Sequence, residues 1–327
     1  WVTVYKDDDE SKKIWEDFTD IDSNRILKFG NKENFWEMGS TGPCGPCSEI
    51  HYFIGDLNKQ NKKGVNKTDE YRELWNLVFM QFNRKHDGKL VNLPKKHVDT
   101  GLGLERMVAT LNNLDDHYQT DLFYPIIEKI VKISNKKYTF KNGIPHRVIA
   151  DHLRMISFSI SDGIMPSNEG RGYVVRRVLR RASRYGRVLG IDTSFLYLLY
   201  DSLVKVLGDA YPELLDKKDY VKQVIKSEEE AFGKTLDRGL TIFEEICSNM
   251  NGKIISGTDV FKLYDTYGFP IDLTYLLAKE KNIGIDENKF NLLMDDQKIK
   301  ARESNKFKLD SQKIDWIILN QLNKSSN

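Results

Sequence analysis

Val98-Asp99-Thr100-Gly101-Leu102-Gly103-Leu104-Glu105-Arg106 is the stretch on which the fold turns. An apolar run ends at an acid, two glycines let backbone lie close to a ligand, and Leu104, Met107, Val108 and Leu111 continue at helical spacing. A strand, a glycine turn and a helix in that order can hold an anion at the helix N-terminus. Arg106 adds a charge that cannot be deprotonated. Asp99 would present a carboxylate to a neighbouring cation. On spacing alone, a plain glycine turn beside a surface arginine fits equally well.

On the N-terminal side of this stretch the signals are for strands: Trp1–Tyr5, Glu49–Ile54, Leu74–Phe82, and a last short strand before Asp99. Asp87-Gly88, between Phe82 and Leu90, marks a hairpin turn and so an antiparallel pair. Lys59–Asp69 is rich in Asn, Lys and Gln and reads as a mobile loop. From about Asp121 the spacing turns helical, with Phe123, Ile126, Ile127, Ile130 and Val131, then Val148, Ile149, His152, Leu153, Ile156 and Ile160. Val221, Val224, Ile225, Phe232, Leu236, Leu240 and Phe243 trace one long amphipathic helix. The expected fold class is therefore α+β: an antiparallel sheet with helices over residues 1–115, then an all-α domain over 116–327. Ile314–Ile318 should begin a further element, and Asn323–Asn327 reads as a frayed end.

A hydrophobic share of 40% and a charged share of 30% suit a soluble globular protein, and no apolar run reaches the ~18–20 residues of a membrane span. Trp1–Tyr5 is neither a signal nor a transit peptide, and reads as a buried strand cut from a preceding segment. The three cysteines, Cys44, Cys47 and Cys247, are too few for a disulfide scaffold and suit a reducing compartment, the cytoplasm or an organelle interior. Cys44-Gly45-Pro46-Cys47 could be a zinc or redox pair, but no second pair follows, and the prolines and glycines of Gly42–Pro46 favour a rigid turn.

A net charge of +2 does not announce a nucleic-acid binder, so any such signal must be local. Between Tyr173 and Leu189 it is. At about 100° per residue, Arg176, Arg177, Arg180, Arg181, Arg184 and Arg187 fall on an arc of roughly 140°, with Val174, Val178, Ala182, Tyr185 and Leu189 opposite. Such a face can track phosphates, and arginine forks to them bidentately. The choice of arginine over lysine throughout favours RNA over the alternative, a solvated face with carboxylate partners on neighbouring helices.

Gly101–Arg106 resembles the third signature motif of class II aminoacyl-tRNA synthetases. Asn34–Gly39, Thr41–Ile50, Leu74–Phe82, Asp162–Glu169 with Arg171–Tyr173, and Leu263–Pro270 resemble the alanyl-tRNA synthetases among them, in that family's order and over nearly the whole chain. The resemblance implies ATP-dependent activation of alanine and its transfer to the 3′ end of tRNA(Ala). It also implies ATP contacts at Trp36, Leu74, Trp75, Asn76, Gly103 and Arg106, with alanine held by Asn76 and Asp99. Stacking suits Trp36 because a purine face is large and apolar, although Trp36 and Trp75 also read as ordinary core residues.

Magnesium is implied with the nucleotide, Glu49 being one possible but unassigned ligand. No zinc is expected, because the family's zinc site lies in an editing domain outside this stretch. Asn168 and Asp265 match family residues that read a G·U pair of the acceptor stem, and Arg177, Arg180, Arg181 and Arg184 would contact its backbone. The family's first two motifs, one of which supplies an arginine that grips the α-phosphate, are expected before residue 1. The chain by itself is therefore expected to be nearly inactive. The rival reading is a catalytically silent RNA-binding module.

Overall fold

The computed structural model describes residues 1–250 and 252–309. The expectations for Ile314–Ile318 and Asn323–Asn327 lie outside the described residues. Two compact units form: Trp1–Arg154 with Leu199–Asp216, and Met155–Leu198 with the described residues from Lys217 on.

The first unit is built on a six-stranded sheet. Its strands are β1 (Val2–Tyr5), β2 (Ile26–Phe29), β3 (Phe35–Glu37), β4 (Gly42–Phe53), β5 (Tyr71–Arg84) and β6 (Leu90–Leu102), in the order β2-β1-β4-β5-β6, with β3 paired to β4 at Cys44–Pro46. The β1–β2 pair is parallel and all others are antiparallel, so the sheet is mixed rather than purely antiparallel. β5 and β6 are joined by the expected hairpin, in which Gly88 takes φ +81° and donates its N–H to the Lys85 carbonyl. α1 (Asp9–Phe18) is capped by the Asp8 carboxylate on Ser11 N–H, and its Trp15 packs on the apolar side of the sheet against Val2, Val4, Ile26 and Ile50. The four-residue α2 (Asn31–Asn34) leads into β3.

Two expectations for this region are corrected. The strand before Asp99 is not short: β6 runs 13 residues, passes through Asp99 and ends at Leu102. It is an edge strand, nearly all exposed, carrying Pro94, Lys95 and Lys96 at a register shift, residues suited to an unpaired edge. Cys44-Gly45-Pro46-Cys47 is not a turn but the first half of β4, with a bulge against β5 between Cys44 and Cys47. Gly45 is there because a Cβ would lie 1.9 Å from the Phe79 carbonyl oxygen. The two cysteines are three residues apart in a strand and so point to opposite faces, which removes a shared metal or a disulfide. Lys59–Asp69 is held down by Val65, which is fully buried in a cluster with Phe53 and Tyr71, against which Trp1, Leu27 and Phe29 pack.

α3 (Leu104–Leu111), α4 (Tyr124–Ser134) and the first part of α5 (Ile144–Ser161) follow the sheet. Ile126, Ile127, Ile130, Ile149, Ala150 and Leu153 are all fully buried. The change from strands to helices falls where the periodicity placed it, but α4 and much of α5 belong to the first unit. So does the later part of α7 (Leu196–Leu207), together with α8 (Pro212–Asp216).

The second unit contains α6 (Gly170–Val188), the 32-residue α9 (Lys218–Asn249), α10 (Gly257–Asp265), α11 (Ile271–Glu280) and α12 (Glu287–Leu309). It is not wholly helical, because β7 (Ile254–Ile255) and β8 (Gly284–Ile285) pair in parallel. α9 buries Val221, Ile225, Phe232, Leu236 and Phe243 on one stripe, as its spacing requires. The last three join Val260, Leu263, Phe269, Leu273 and Leu277 in one core. Glu229 lies on the same stripe, is 3% exposed, and accepts the N–H groups of Phe195 and Leu196.

Candidate functional site

Residues two apart on a strand share a face, and residues opposite each other in register do too. One row across the sheet of the first unit is Thr3–Glu49–Asn76–Gly101, and the next is Cys47–Val78–Asp99. His51, two residues beyond Glu49 and opposite Glu73, belongs to the same face, as does Trp36, which stands opposite Gly45. Trp36, Asn76 and Asp99 are thus gathered on one side of the sheet. Trp75 is on the other side, opposite Ile50 and Leu102, so its indole is separated from them. Leu74, buried at the bulge, accepts the N–H of Gly103 at 3.0 Å, which ties the start of α3 to β5. Arg106 is exposed; its guanidinium donates to the Glu73 carbonyl at 2.9 Å and lies 3.6 Å from the Glu73 carboxylate.

Beneath the exposed part of this face runs a buried polar chain. Asn34 Nδ2 donates to Thr3 Oγ1 at 2.8 Å, Thr3 Oγ1 donates to Glu49 Oε2 at 3.1 Å, and His51 Nε2 lies 3.1 Å from the same oxygen. Glu49 is 7% and His51 3% exposed. Three atoms of this face are buried with no hydrogen-bond partner: Asn34 Oδ1, His51 Nδ1 and Asn76 Oδ1. Buried polar atoms are nearly always paired, so such a group of orphans about one polar face suits a bound ligand. The unpaired Asn76 oxygen can accept from an ammonium, and rotation of the amide would present its N–H groups to a carboxylate. Asp99 is exposed, its Oδ1 accepting only the neighbouring Thr100 N–H, so its charge is available to a ligand. Burial pushes the Cys47 thiol up to about 12, which keeps it protonated and unreactive.

Sequence reading did not single out Thr3, Asn34 or His51. The signal was present for His51: Glu49 and His51 alternate with the apolar Ile50 and Tyr52, a pattern that puts two polar groups on one face of a strand.

In the second unit a groove of about 580 Å³ is lined by Asn168, Arg176, Arg177, Arg180, Asp265 and Asp272 among others, so the two expected base-reading residues share one concavity. Asn168 Oδ1 accepts from Arg176, and Asp265 Oδ1 accepts from Gln297. Burial raises the Asp272 carboxyl above its ordinary value, and Oδ1 of that group has no partner.

The arginines of α6 do not form one open track. Arg176 and Arg180 both engage Glu228, Arg187 engages Asp237, and Arg184 is 5% exposed and forked onto Glu280. Arg177 and Arg181 are exposed and make no ion pair among the described residues. Arg180 and Arg184, expected at an RNA backbone, are thus held by internal carboxylates. The helix is rotated from the expected position: Val175, Leu179, Ala182, Ser183 and Gly186 carry the buried stripe, and Val174 is exposed. Small and polar residues on that stripe hid it from a reading based on apolar side chains.

The first unit thus presents a polar sheet face with buried, unpaired acceptors, and the second a groove lined by three arginines and two aspartates. The profile of the family described as "tRNA synthetases class II (A)" matches residues 1–327, and the chain belongs to that family. It is 50% identical over 324 residues to the alanine–tRNA ligase of Chlorobium chlorochromatii (strain CaD3), covering 96% of this chain and 36% of that protein. The alanine–tRNA ligase of Chlorobaculum tepidum is 49% identical over 322 residues, with 95% and 36% covered. That of Psychromonas ingrahamii is 46% identical over 315 residues, with 96% and 36% covered. The chain thus spans 36% of the length of these relatives. No described helix is long and apolar enough to cross a membrane.

Proposed function

We propose that this chain carries part of the alanine- and ATP-binding site and the acceptor-stem-reading region of an alanine–tRNA ligase acting in the cytoplasm. The observation that carries the reading is the gathering of Trp36, Asn76 and Asp99 on one sheet face, where the Asn76 oxygen is buried and unpaired. Asp99 pairs with the α-ammonium of alanine and Asn76 holds its carboxylate. Trp36 stacks beside adenine, Leu74, Trp75 and Gly103 contact the nucleotide through their backbone, and Arg106 lies near the triphosphate.

The alanine carboxylate then displaces pyrophosphate from the α-phosphate of ATP, and the terminal adenosine of tRNA(Ala) takes the alanyl group from the adenylate. Both displacements depend on positioning and charge neutralisation. Magnesium would come in with the phosphates, since it keeps most of its waters and needs only one or two carboxylates. Among the described residues no group of three or more His, Cys, Asp or Glu gathers to cage a metal.

Residues 1–115 serve the chemistry, and residues 116–327 serve tRNA. Asn168 and Asp265 reach the edge of the G·U pair from the wide, shallow minor groove of RNA. Arg177 and Arg181 supply backbone affinity, while Arg180 and Arg184 shape the surface that carries them. Alanine-dependent exchange of pyrophosphate into ATP by the intact protein tests the reading. Exchange driven equally by glycine, serine and alanine, or by none of them, would sink it.

A further inference from the structure

His51 is 3% exposed, yet it lines a groove of about 530 Å³ with Arg72, Glu73, Arg106, His117 and Arg147. Its Nε2 is committed to Glu49 Oε2, which also receives Thr3 Oγ1, so the carboxylate oxygen acts as acceptor for both. A ring nitrogen that donates to a carboxylate leaves the other nitrogen as a lone-pair acceptor in the neutral imidazole. That other nitrogen, Nδ1, is the one buried without a partner. The Asn34–Thr3–Glu49 chain therefore sets the tautomer and the ring orientation, and it leaves an unsatisfied acceptor on a residue that lines this groove and shares the sheet face of Asn76 and Asp99.

We propose that His51 is a substrate-positioning residue of this site, its Nδ1 accepting a hydrogen bond from a ribose hydroxyl. The proposal rests on the alanine–tRNA ligase reading above. A hydroxyl is the donor that fits. The groove's four full cations, Lys67, Arg72, Arg106 and Arg147, are matched by Asp69, Glu73, Asp115 and Asp116, so its charge selects neither an anion nor a second cation. By register, His51 is one strand across and one residue pair along from Asn76, about 8 Å at ordinary sheet spacings, which is the scale of an aminoacyl group joined to a ribose. The ribose belongs to ATP in the first step or to the terminal adenosine of tRNA in the second.

The test is a coupling cycle in the intact synthetase, crossing His51→Ala with removal of single hydroxyls. Pyrophosphate exchange is measured with ATP, 2′-deoxy-ATP and 3′-deoxy-ATP, and single-turnover transfer from preformed adenylate with tRNA ending in adenosine or 2′-deoxyadenosine. In the wild type, loss of the contacted hydroxyl should lower kcat/KM, or the transfer rate, about five- to tenfold, and in His51→Ala the same removal should cost nothing further. Coupling in the exchange arm assigns the nucleotide ribose, and coupling in the transfer arm assigns the tRNA ribose. His51→Gln, which keeps an acceptor, should restore part of the hydroxyl preference, and it takes the place of the alanine variant if that one does not fold. Additive losses in both arms would overturn the proposal while leaving the function intact. A wild-type enzyme with no alanine-dependent exchange would remove the function itself.

Discussion

Arg181 and Arg184 lie three residues apart on α6 and should behave as different kinds of residue. The Arg184 side chain is 6% exposed and forks onto Glu280, whose side chain is 41% exposed. Removing one partner of a fully buried pair costs about 3–5 kcal/mol, but Glu280 can be rehydrated once freed, so Arg184→Ala should destabilise by about 1–2 kcal/mol. Arg181 is exposed without an ion-pair partner among the described residues, and Arg181→Ala should change stability by less than about 0.5 kcal/mol. RNA binding should show the reverse. One phosphate contact contributes about 0.9 to the slope of log K against log salt, so between 50 and 200 mM the variant would lose about 3.5-fold less affinity than the wild type. The assays are urea unfolding and filter binding of an acceptor-stem duplex at four salt concentrations. An unchanged salt slope for Arg181→Ala, or full stability in Arg184→Ala, would refute the division into free and internally paired arginines.

Asp99→Asn in the intact enzyme should raise the alanine KM at least tenfold and the ATP KM by less than about threefold, because it removes the charge facing the ammonium and keeps the shape; equal changes would make Asp99 structural. Asn168→Ala and Asp265→Ala should leave general RNA binding intact but erase the preference for a G·U over a G·C acceptor stem, measured by aminoacylation of paired duplexes. Burial raises the Glu229 carboxyl to about 7 from an ordinary 4.5, against the opposing pull of the Leu196 and Phe195 N–H groups and Ser183. The folded state alone therefore holds that proton between these values, and stability should fall as pH rises from about 4.5 through 7, by up to ~3 kcal/mol. Glu229→Gln should flatten this dependence in denaturant titrations at pH 5 and pH 8, and an unchanged slope would place the titration elsewhere.

Local pattern was enough for much of the fold. Val2–Tyr5, the β5–β6 hairpin at Asp87-Gly88 and the stripe along α9 were all legible, because each is decided by a period of two, a turn residue or a period of 3.6. The identity of the family was legible as well, carried by long runs such as Leu74–Phe82 and Gly101–Arg106, which match independently of how they fold. Tertiary structure decided the matters that depend on what lies opposite. Gly45 fits inside a strand because Phe79 approaches it from the neighbouring strand, and Val65 anchors a polar segment because Phe53 and Tyr71 are there to receive it. Trp75 and Asn76 are adjacent in the chain yet lie on opposite faces, and the partners of the α6 arginines come from Glu228, Asp237 and Glu280, some 50 to 100 residues away. Helical spacing places arginines on an arc, but whether an arginine meets a phosphate or a carboxylate depends on the other helices, and periodicity carries no information about them.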